Sequence, residues 1–118
     1  MRPRTALPES TNGQAAAAYM SDAWIVYAAI LPHITFNNIG LIRIGSVNHA
    51  LWFYEPWQPN EWLFVSAGSP AFGSSRGLNN ATIYDRTGRM IAMAVSEAVY
   101  TDAVPVPKSQ PRPLGRNL

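Results

Sequence analysis

The stretch from Gln14 to Leu31 constrains the fold more than any other part of the chain. It is rich in alanine, contains neither Gly nor Pro, and stops at Pro32, and these properties predict one long helix. Thr11 or Asn12 is the expected N-cap, because short polar side chains satisfy the first free backbone N–H groups. Apolar residues occur on nearly every side of this helix, so we expect it to be buried on several sides.

The chain after this helix has the composition of β-strands. Aromatic and β-branched residues recur in short runs, and turn residues separate the last two runs, with Gly88 able to take a positive φ. Strands are predicted at residues 50–54, 62–65, 78–84 and 90–100. One helix followed by antiparallel strands predicts an α+β domain in which an antiparallel sheet wraps around a central helix.

The length of 118 residues suits one domain with one core. Residues 1–13 have little apolar content and are predicted to be an N-terminal tail. The domain itself is predicted at 14–102. Residues 103–118 contain four prolines and are predicted to form an extended C-terminal tail.

The net charge of +2 comes from the two ends of the chain. Between Gln14 and Val104 there are four arginines and six carboxylates, a balance of −2. A mildly acidic body does not provide the basic surface that nucleic acids require. We therefore expect no nucleic-acid partner.

The chain has no cysteine and only two isolated histidines, His33 and His49. Disulfides, thiolate ligands and a metal site of ordinary spacing are not expected, nor is any cofactor. The apolar run Ala23–Leu31 is shorter than the roughly 20 residues of a membrane span. No segment resembling a secretion signal precedes it, so we predict a cytoplasmic protein without a membrane partner.

Several blocks, in the same order, resemble the C-terminal half of the acyl-CoA thioesterase II family. They read "AYMSDAWIVYAAILPH", "SVNHALWFYEPWQPNEWLFVSAGSPAFGSSRGL" and "IYDRTGRMIAMAVSEAVY", and they cover about residues 18–100. Family members contain two fused hotdog domains and hydrolyse acyl-CoA thioesters. The resemblance therefore implies a single hotdog-like domain here, with acyl-CoA as substrate or ligand.

The resemblance also implies positions for a catalytic trio that differs from the family pattern. In the family an Asp, a Ser or Thr, and a Gln hold the attacking water, and the Asp precedes a His before the aromatic strand. The matching positions are Asn48, Ser69 (less well Ser66) and Ser96. Asn48 can orient a water but cannot accept a proton at neutral pH. His49 is adjacent, but on an extended strand it should point to the opposite face.

Two further groups of residues have both a functional and an ordinary structural interpretation. Arg76 and Gly77 could face a phosphate of coenzyme A, although an exposed Arg beside a turn Gly is more often simply solvated. Five aromatic side chains could line an acyl tunnel, although such residues mostly fill cores and subunit contacts. They are Trp52, Phe53, Tyr54, Trp57 and Trp62.

The altered trio leaves two functions open. The chain is either a weak acyl-CoA thioesterase or a non-catalytic acyl-CoA-binding or structural subunit. A hotdog hydratase is disfavoured, because the expected Asp followed closely by His is missing. Since the resemblance covers one hotdog of two, we also expect a homo-oligomer or pairing with a separate first-half chain. Asn48→Asp should raise hydrolysis, and adding Ser96→Gln should raise it further.

Overall fold

The computed structural model describes residues 1–8, 10–35 and 39–102. The predicted C-terminal tail, 103–118, lies outside the described residues. The helices are α1 (Gly13–Ile25) and α2 (Tyr27–Ile30), with 3₁₀ turns at Leu31–His33 and Ile39–Leu41. The strands are β1 (Ile42–Phe53), β2 (Phe64–Gly73), β3 (Arg76–Tyr84) and β4 (Met90–Asp102).

The predicted helix is confirmed as α1 and α2, which are separated only by Val26. Asn12 is the N-cap, and its side-chain oxygen accepts a hydrogen bond from the Ala15 N–H at 3.1 Å. At the break, the hydroxyl of Tyr100 donates to the Val26 carbonyl, and the Ala29 N–H donates to the side chain of Asn79. The sheet thus satisfies backbone groups near the helix break.

The four strands form one antiparallel sheet in the order β1-β4-β3-β2. The predicted α+β fold with a helix on an antiparallel sheet is confirmed. The turn between β3 and β4 is also confirmed, with Gly88 at φ 84°. β1 begins at Ile42 rather than at Ala50, so the predicted start of this strand is wrong.

A β-bulge between Ser46 and Asn48 interrupts the pairing of β1 with β4. Before the bulge, Ile42 and Ile44 pack against the helical layer, and after it Leu51 does so. The extra residue therefore moves the buried positions from even to odd numbers. This change of phase hides the first half of β1 from a simple alternation pattern.

The helix buries one face against the sheet. Ala17, Ser21 and Ile25 are buried, whereas Tyr19 and Trp24 on the other side are 81% and 64% exposed. The expectation that the helix is buried on several sides is wrong for the described chain, because this sheet covers only one side of it. The uncovered side carries large aromatic residues.

The helical segment Gly13–His33 is long and apolar enough, by length and composition alone, to cross a membrane. The sequence argument from the short run Ala23–Leu31 underestimated its length. Within its 18-residue apolar window, 39% is buried inside the protein. The core helix of a soluble protein can have the same length and composition.

The N-terminal segment contacts the loop before β2. Met1 and Leu63 exchange two backbone hydrogen bonds, and that from the Leu63 N–H to the Met1 carbonyl is 2.8 Å long. Further along, the side chain of Asn60 bonds to both the N–H and the carbonyl of Leu7. The predicted N-terminal tail is thus attached to the loop that precedes the edge strand β2.

Candidate functional site

Asn48 lies in the bulge of β1, where its side chain replaces part of the interrupted strand pairing. Its side-chain oxygen accepts the Glu97 N–H at 3.0 Å, and its amide nitrogen lies 3.5 Å from Glu97 Oε2. Short polar side chains often bond to backbone groups that lack a regular partner. Asn48 is therefore fixed to β4 and exposed to solvent.

Ser96 contacts the same strand but is buried completely. Its hydroxyl donates to the backbone carbonyl of Asn48 at 2.8 Å. The side chain of Asn48 instead bonds to Glu97, the next residue on β4. The two predicted positions are in contact, but Ser96 offers its hydroxyl to the backbone and not to the side chain of Asn48.

Ser69 lies in a second irregular region, between Gly68 and Ala71 on β2. Its hydroxyl is 2.7 Å from the Leu78 carbonyl and 3.1 Å from the Ala71 carbonyl. Strands β3 and β4 separate it from Asn48, and three strand spacings amount to about 14 Å along the sheet. The structure does not bring Ser69 together with the other two members of the predicted trio.

Glu97 connects Asn48 to Arg76. The guanidinium of Arg76 donates to Glu97 Oε1 at 2.9 Å, and the two side chains are 54% and 31% exposed. Both residues line an open groove of about 500 Å³. The rest of its lining comes from the end of β2, the turn and the start of β3: Ala71, Phe72, Gly73, Ser74, Gly77 and Leu78.

Gly77 has a structural reason to be glycine. A Cβ at this position would lie 2.4 Å from the Cβ of Ala29, and the rings of Tyr100 and Phe72 are also close. The missing side chain lets α2 approach the sheet. This contact does not test a role in binding coenzyme A.

His49 faces the helix, opposite to Asn48, as the alternation of the strand predicts. Its Nε2 lies 3.2 Å from the hydroxyl of Ser21, and its Nδ1 lies 3.9 Å from Asp22 Oδ1. Ser21 is buried completely and also donates to the Ala18 carbonyl. His49 therefore joins β1 to α1 and does not reach the exposed side chain of Asn48.

A buried polar network under the helix was missed in the sequence. Asn79 accepts from the Ala29 N–H at 2.8 Å, and its amide lies within 3.3 Å of the Gly77 carbonyl, the Ser96 carbonyl and the Tyr100 hydroxyl. Burial raises the pKa of this tyrosine. The available signal was that Asn79 alternates with the apolar residues Ala81 and Ile83, so all three lie on one face of the strand.

The aromatic residues considered for a tunnel are divided between the core and the surface. Trp57 is buried and Phe53 packs against the core, whereas Trp52, Tyr54 and Trp62 are each at least half exposed. The guanidinium of Arg2 lies over the ring of Trp62. These five side chains do not line one cavity in the described chain.

The groove combines a cation and a carboxylate with apolar lining residues, and the amide of Asn48 lies next to the carboxylate. Arg76 can attract an anionic group, while Glu97 and Asn48 can hydrogen-bond a polar molecule such as water. Over the part of the chain that the structure describes, no three His, Cys, Asp or Glu residues lie close enough to hold a metal ion. The chemistry available is that of hydrogen bonds, charge and proton transfer.

Residues 1–100 match the family model of the acyl-CoA thioesterase C-terminal domain. The chain belongs to this family. The predicted resemblance to the C-terminal half of acyl-CoA thioesterase II is thereby confirmed, and the match extends through the N-terminal segment that contacts Leu63.

Individual relatives agree with this family. The chain is 31% identical over 83 residues to acyl-coenzyme A thioesterase 8 of Mus musculus, covering 70% of this chain and 25% of that protein. It is 32% identical over 88 residues to acyl-CoA thioesterase 2 of Haemophilus influenzae, covering 73% and 30%. The chain thus spans less than a third of the length of these relatives.

A solved structure confirms the hotdog fold. The crystal structure of an acyl-CoA thioesterase II from Mycobacterium marinum superposes with a TM-score of 0.72 at 27% identity. The superposition covers 92% of this chain and 41% of that one. The single helix and four-stranded antiparallel sheet are therefore a hotdog domain of the thioesterase type.

Proposed function

We propose that this domain binds acyl-CoA thioesters and, as an isolated chain, hydrolyses them slowly. The family match over residues 1–100 supports acyl-CoA as the ligand. The placement of Asn48 supports slow turnover, and it is the observation that carries the proposal. At the position implied for the family carboxylate, the chain presents an amide that is already bonded to Glu97. Loss of a general base usually costs about 10²- to 10⁴-fold in rate.

The groove that Arg76 and Glu97 line is the proposed entrance for the ligand. Arg76 is about half exposed and stands at its edge, where it can meet a phosphate of coenzyme A. The lining also includes the apolar side chains of Phe72 and Leu78, which suit the start of an acyl chain. Replacement of Arg76 by Gln should therefore weaken binding of coenzyme A itself.

A non-catalytic acyl-CoA-binding or structural subunit is the second candidate. The observation that favours it is the position of Ser69, which lies on β2, three strand spacings from Asn48, and bonds to backbone carbonyls there. A trio whose members do not meet cannot hold one water. Binding without any thiol release would support this candidate over slow hydrolysis.

We also propose that the domain pairs with a second hotdog, either another copy or a separate first-half chain. Within the described residues β1 is an edge strand, hydrogen-bonded only to β4. The adjacent helix exposes Tyr19 and Trp24, and unpaired edges beside apolar side chains favour association. Sedimentation that shows a soluble monomer at micromolar concentration would contradict the pairing.

The cytoplasmic location and the absence of nucleic-acid and membrane partners stay predictions.

The test of the proposed function is to measure binding and turnover in parallel. Purified chain is titrated with a series of straight-chain acyl-CoA esters, and release of the coenzyme A thiol is followed on the same samples. We expect saturable binding with turnover below the ordinary range of about 1 to 10³ per second. Absence of binding across the whole series would show that only the fold is shared with the family.

A further inference from the structure

We infer that Glu97 is the proton acceptor for the residual hydrolysis, taking over the task that Asn48 cannot perform. This inference rests on the proposed function, since it requires an acyl-CoA in the groove. Of the residues that line the groove, Glu97 is the only one with a carboxylate. It also contacts Asn48 directly, through both its backbone N–H and its side chain.

The two oxygens of Glu97 have different partners. Oε1 accepts from Arg76 at 2.9 Å, whereas Oε2 lies 3.5 Å from the amide nitrogen of Asn48, a distance at the limit of a hydrogen bond. Oε2 is therefore the less firmly engaged oxygen. The side chain is 31% exposed, so water reaches the carboxylate.

Three other described carboxylates have partners or positions that suit this task less well, and neither Glu61 nor Asp102 lines the groove. Asp22 lies on the helix side near His49, Asp85 is occupied by the β3–β4 turn, and Glu55 pairs with Arg89. None of these three lines the groove. The groups that face Glu97 are Asn48 from β1, and Arg76 and Leu78 from β3.

The step balances with water as the only co-reactant. The water oxygen bonds to the thioester carbonyl carbon while one water proton passes to Glu97 Oε2. The C–S bond then breaks, and the proton moves from Glu97 to the departing thiolate sulfur. The products are a carboxylic acid and coenzyme A, and Glu97 returns to its ionised form.

An ordinary surface ion pair is the competing explanation of the contact between Glu97 and Arg76. Exposed pairs of this kind contribute little to stability. Glu97→Gln keeps the shape of the side chain but cannot accept the proton. If Glu97 accepts the proton, Glu97→Gln lowers turnover, whereas an ordinary ion pair leaves turnover unchanged. The melting temperature and the acyl-CoA dissociation constant of the variant check that folding and binding are intact.

The experiment compares the full chain with three variants, using the same acyl-CoA series and thiol release. Glu97→Gln should lower turnover by about 10²- to 10⁴-fold with unchanged acyl-CoA binding. Glu97→Asp keeps a carboxylate and should retain part of the activity. Glu55→Gln is the matched control, because Glu55 is also paired with an arginine, Arg89 at 3.4 Å, but does not line the groove. It should leave turnover unchanged.

The pH profile supplies a readout that a structural role would not change. The dependence of turnover on pH should differ between the unaltered chain and Glu97→Gln, because only the unaltered chain has a proton acceptor at this position. Turnover of Glu97→Gln within about twofold of the unaltered chain, with binding intact, would overturn the inference. If the unaltered chain binds acyl-CoA but releases no thiol, the role of Glu97 is refuted and acyl-CoA binding stands as the function. If it binds no acyl-CoA, the role of Glu97 and the proposed function are both refuted.

Discussion

The backbone N–H of Glu97 donates to the side-chain oxygen of Asn48 at 3.0 Å, which fixes the edge strand β1 to β4 at its bulge. The same glutamate bonds through its carboxylate to Arg76 on β3. Three strands are therefore linked in one row by polar side chains on the exposed face of the sheet. Changes at position 48 must be judged by their effect on Glu97 as well as on the ligand.

Asn48→Asp should raise the turnover of acyl-CoA. The aspartate keeps an oxygen that can accept the Glu97 N–H and adds a second proton acceptor at the groove. It also brings two carboxylates within about 3.5 Å of each other beside the groove. Thiol release measured between pH 5 and 8 checks this.

The matched control for this variant is Asn80→Asp on β3, which adds the same charge two strands away from β1. It should leave turnover unchanged. An equal rise in both variants would mean that overall charge, and not position 48, controls the rate.

Adding Ser96→Gln should lower turnover, contrary to the expectation from the family pattern. Ser96 is completely buried beneath the strand pairing, and its hydroxyl bonds to the Asn48 carbonyl. A glutamine would overfill this space at a cost of about 1–3 kcal/mol. Urea unfolding of the Asn48→Asp single variant and of the double variant measures the cost. A double variant that is both stable and faster would show that the site rearranges when ligand binds.

Tyr100→Phe should destabilise the fold by about 1–3 kcal/mol, because it leaves the Val26 carbonyl and the Asn79 amide without their shared partner. Tyr84→Phe, on the other face of the sheet, is the control and should change the free energy of unfolding by less than about 0.5 kcal/mol. Denaturant titration of both variants gives the comparison. Equal effects would mean that the network beneath α2 contributes no special stability.

Asp85 should make stability depend on pH in acid. Hydrogen bonds to the carboxylate lower the pKa of Asp85 from 3.8 to about 2. The bond from the Thr87 hydroxyl is the largest cause, and bonds from the backbone N–H groups of Thr87 and Arg89 and from the Arg89 side chain add to it. The folded state favours the ionised form of Asp85, which therefore stabilises the fold. This stabilisation is complete above pH 3.8 and is lost as the pH falls toward about 2. Melting temperatures of the unaltered chain and Asp85→Asn should converge over this interval. Parallel curves would contradict the assignment.

The sequence identified the helix and the strands β3 and β4 because their signals are local, whereas the predicted strand 62–65 shares only its last two residues with β2. The run from Gln14 to Leu31 contains no breaker, and the turn before β4 contains Asp85 and Gly88. The first half of β1 was missed because the bulge reverses the alternation after Ser46. No local pattern indicates such a reversal.

The candidate site was less predictable because it depends on which residues lie opposite each other across the sheet. The Ser96 hydroxyl reaches only the backbone of Asn48, and the contact between Asn48 and Glu97 follows from the register of β1 and β4. Similarly, nothing near Asn79 in the sequence indicates the helix N–H of Ala29 that it accepts. The assigned roles of Asn48, Ser69, Ser96, Arg76 and Gly77 stay predictions.

The most direct test of the account is to measure, on one sample of the unaltered chain, the affinity for a long-chain acyl-CoA and the rate at which its thiol is released. The account predicts saturable binding together with turnover below about 1 per second, the lower end of the ordinary enzymatic range. Turnover within or above that range would contradict this prediction. It would require an efficient base, and neither Asn48 nor Glu97, which is paired with Arg76, provides one.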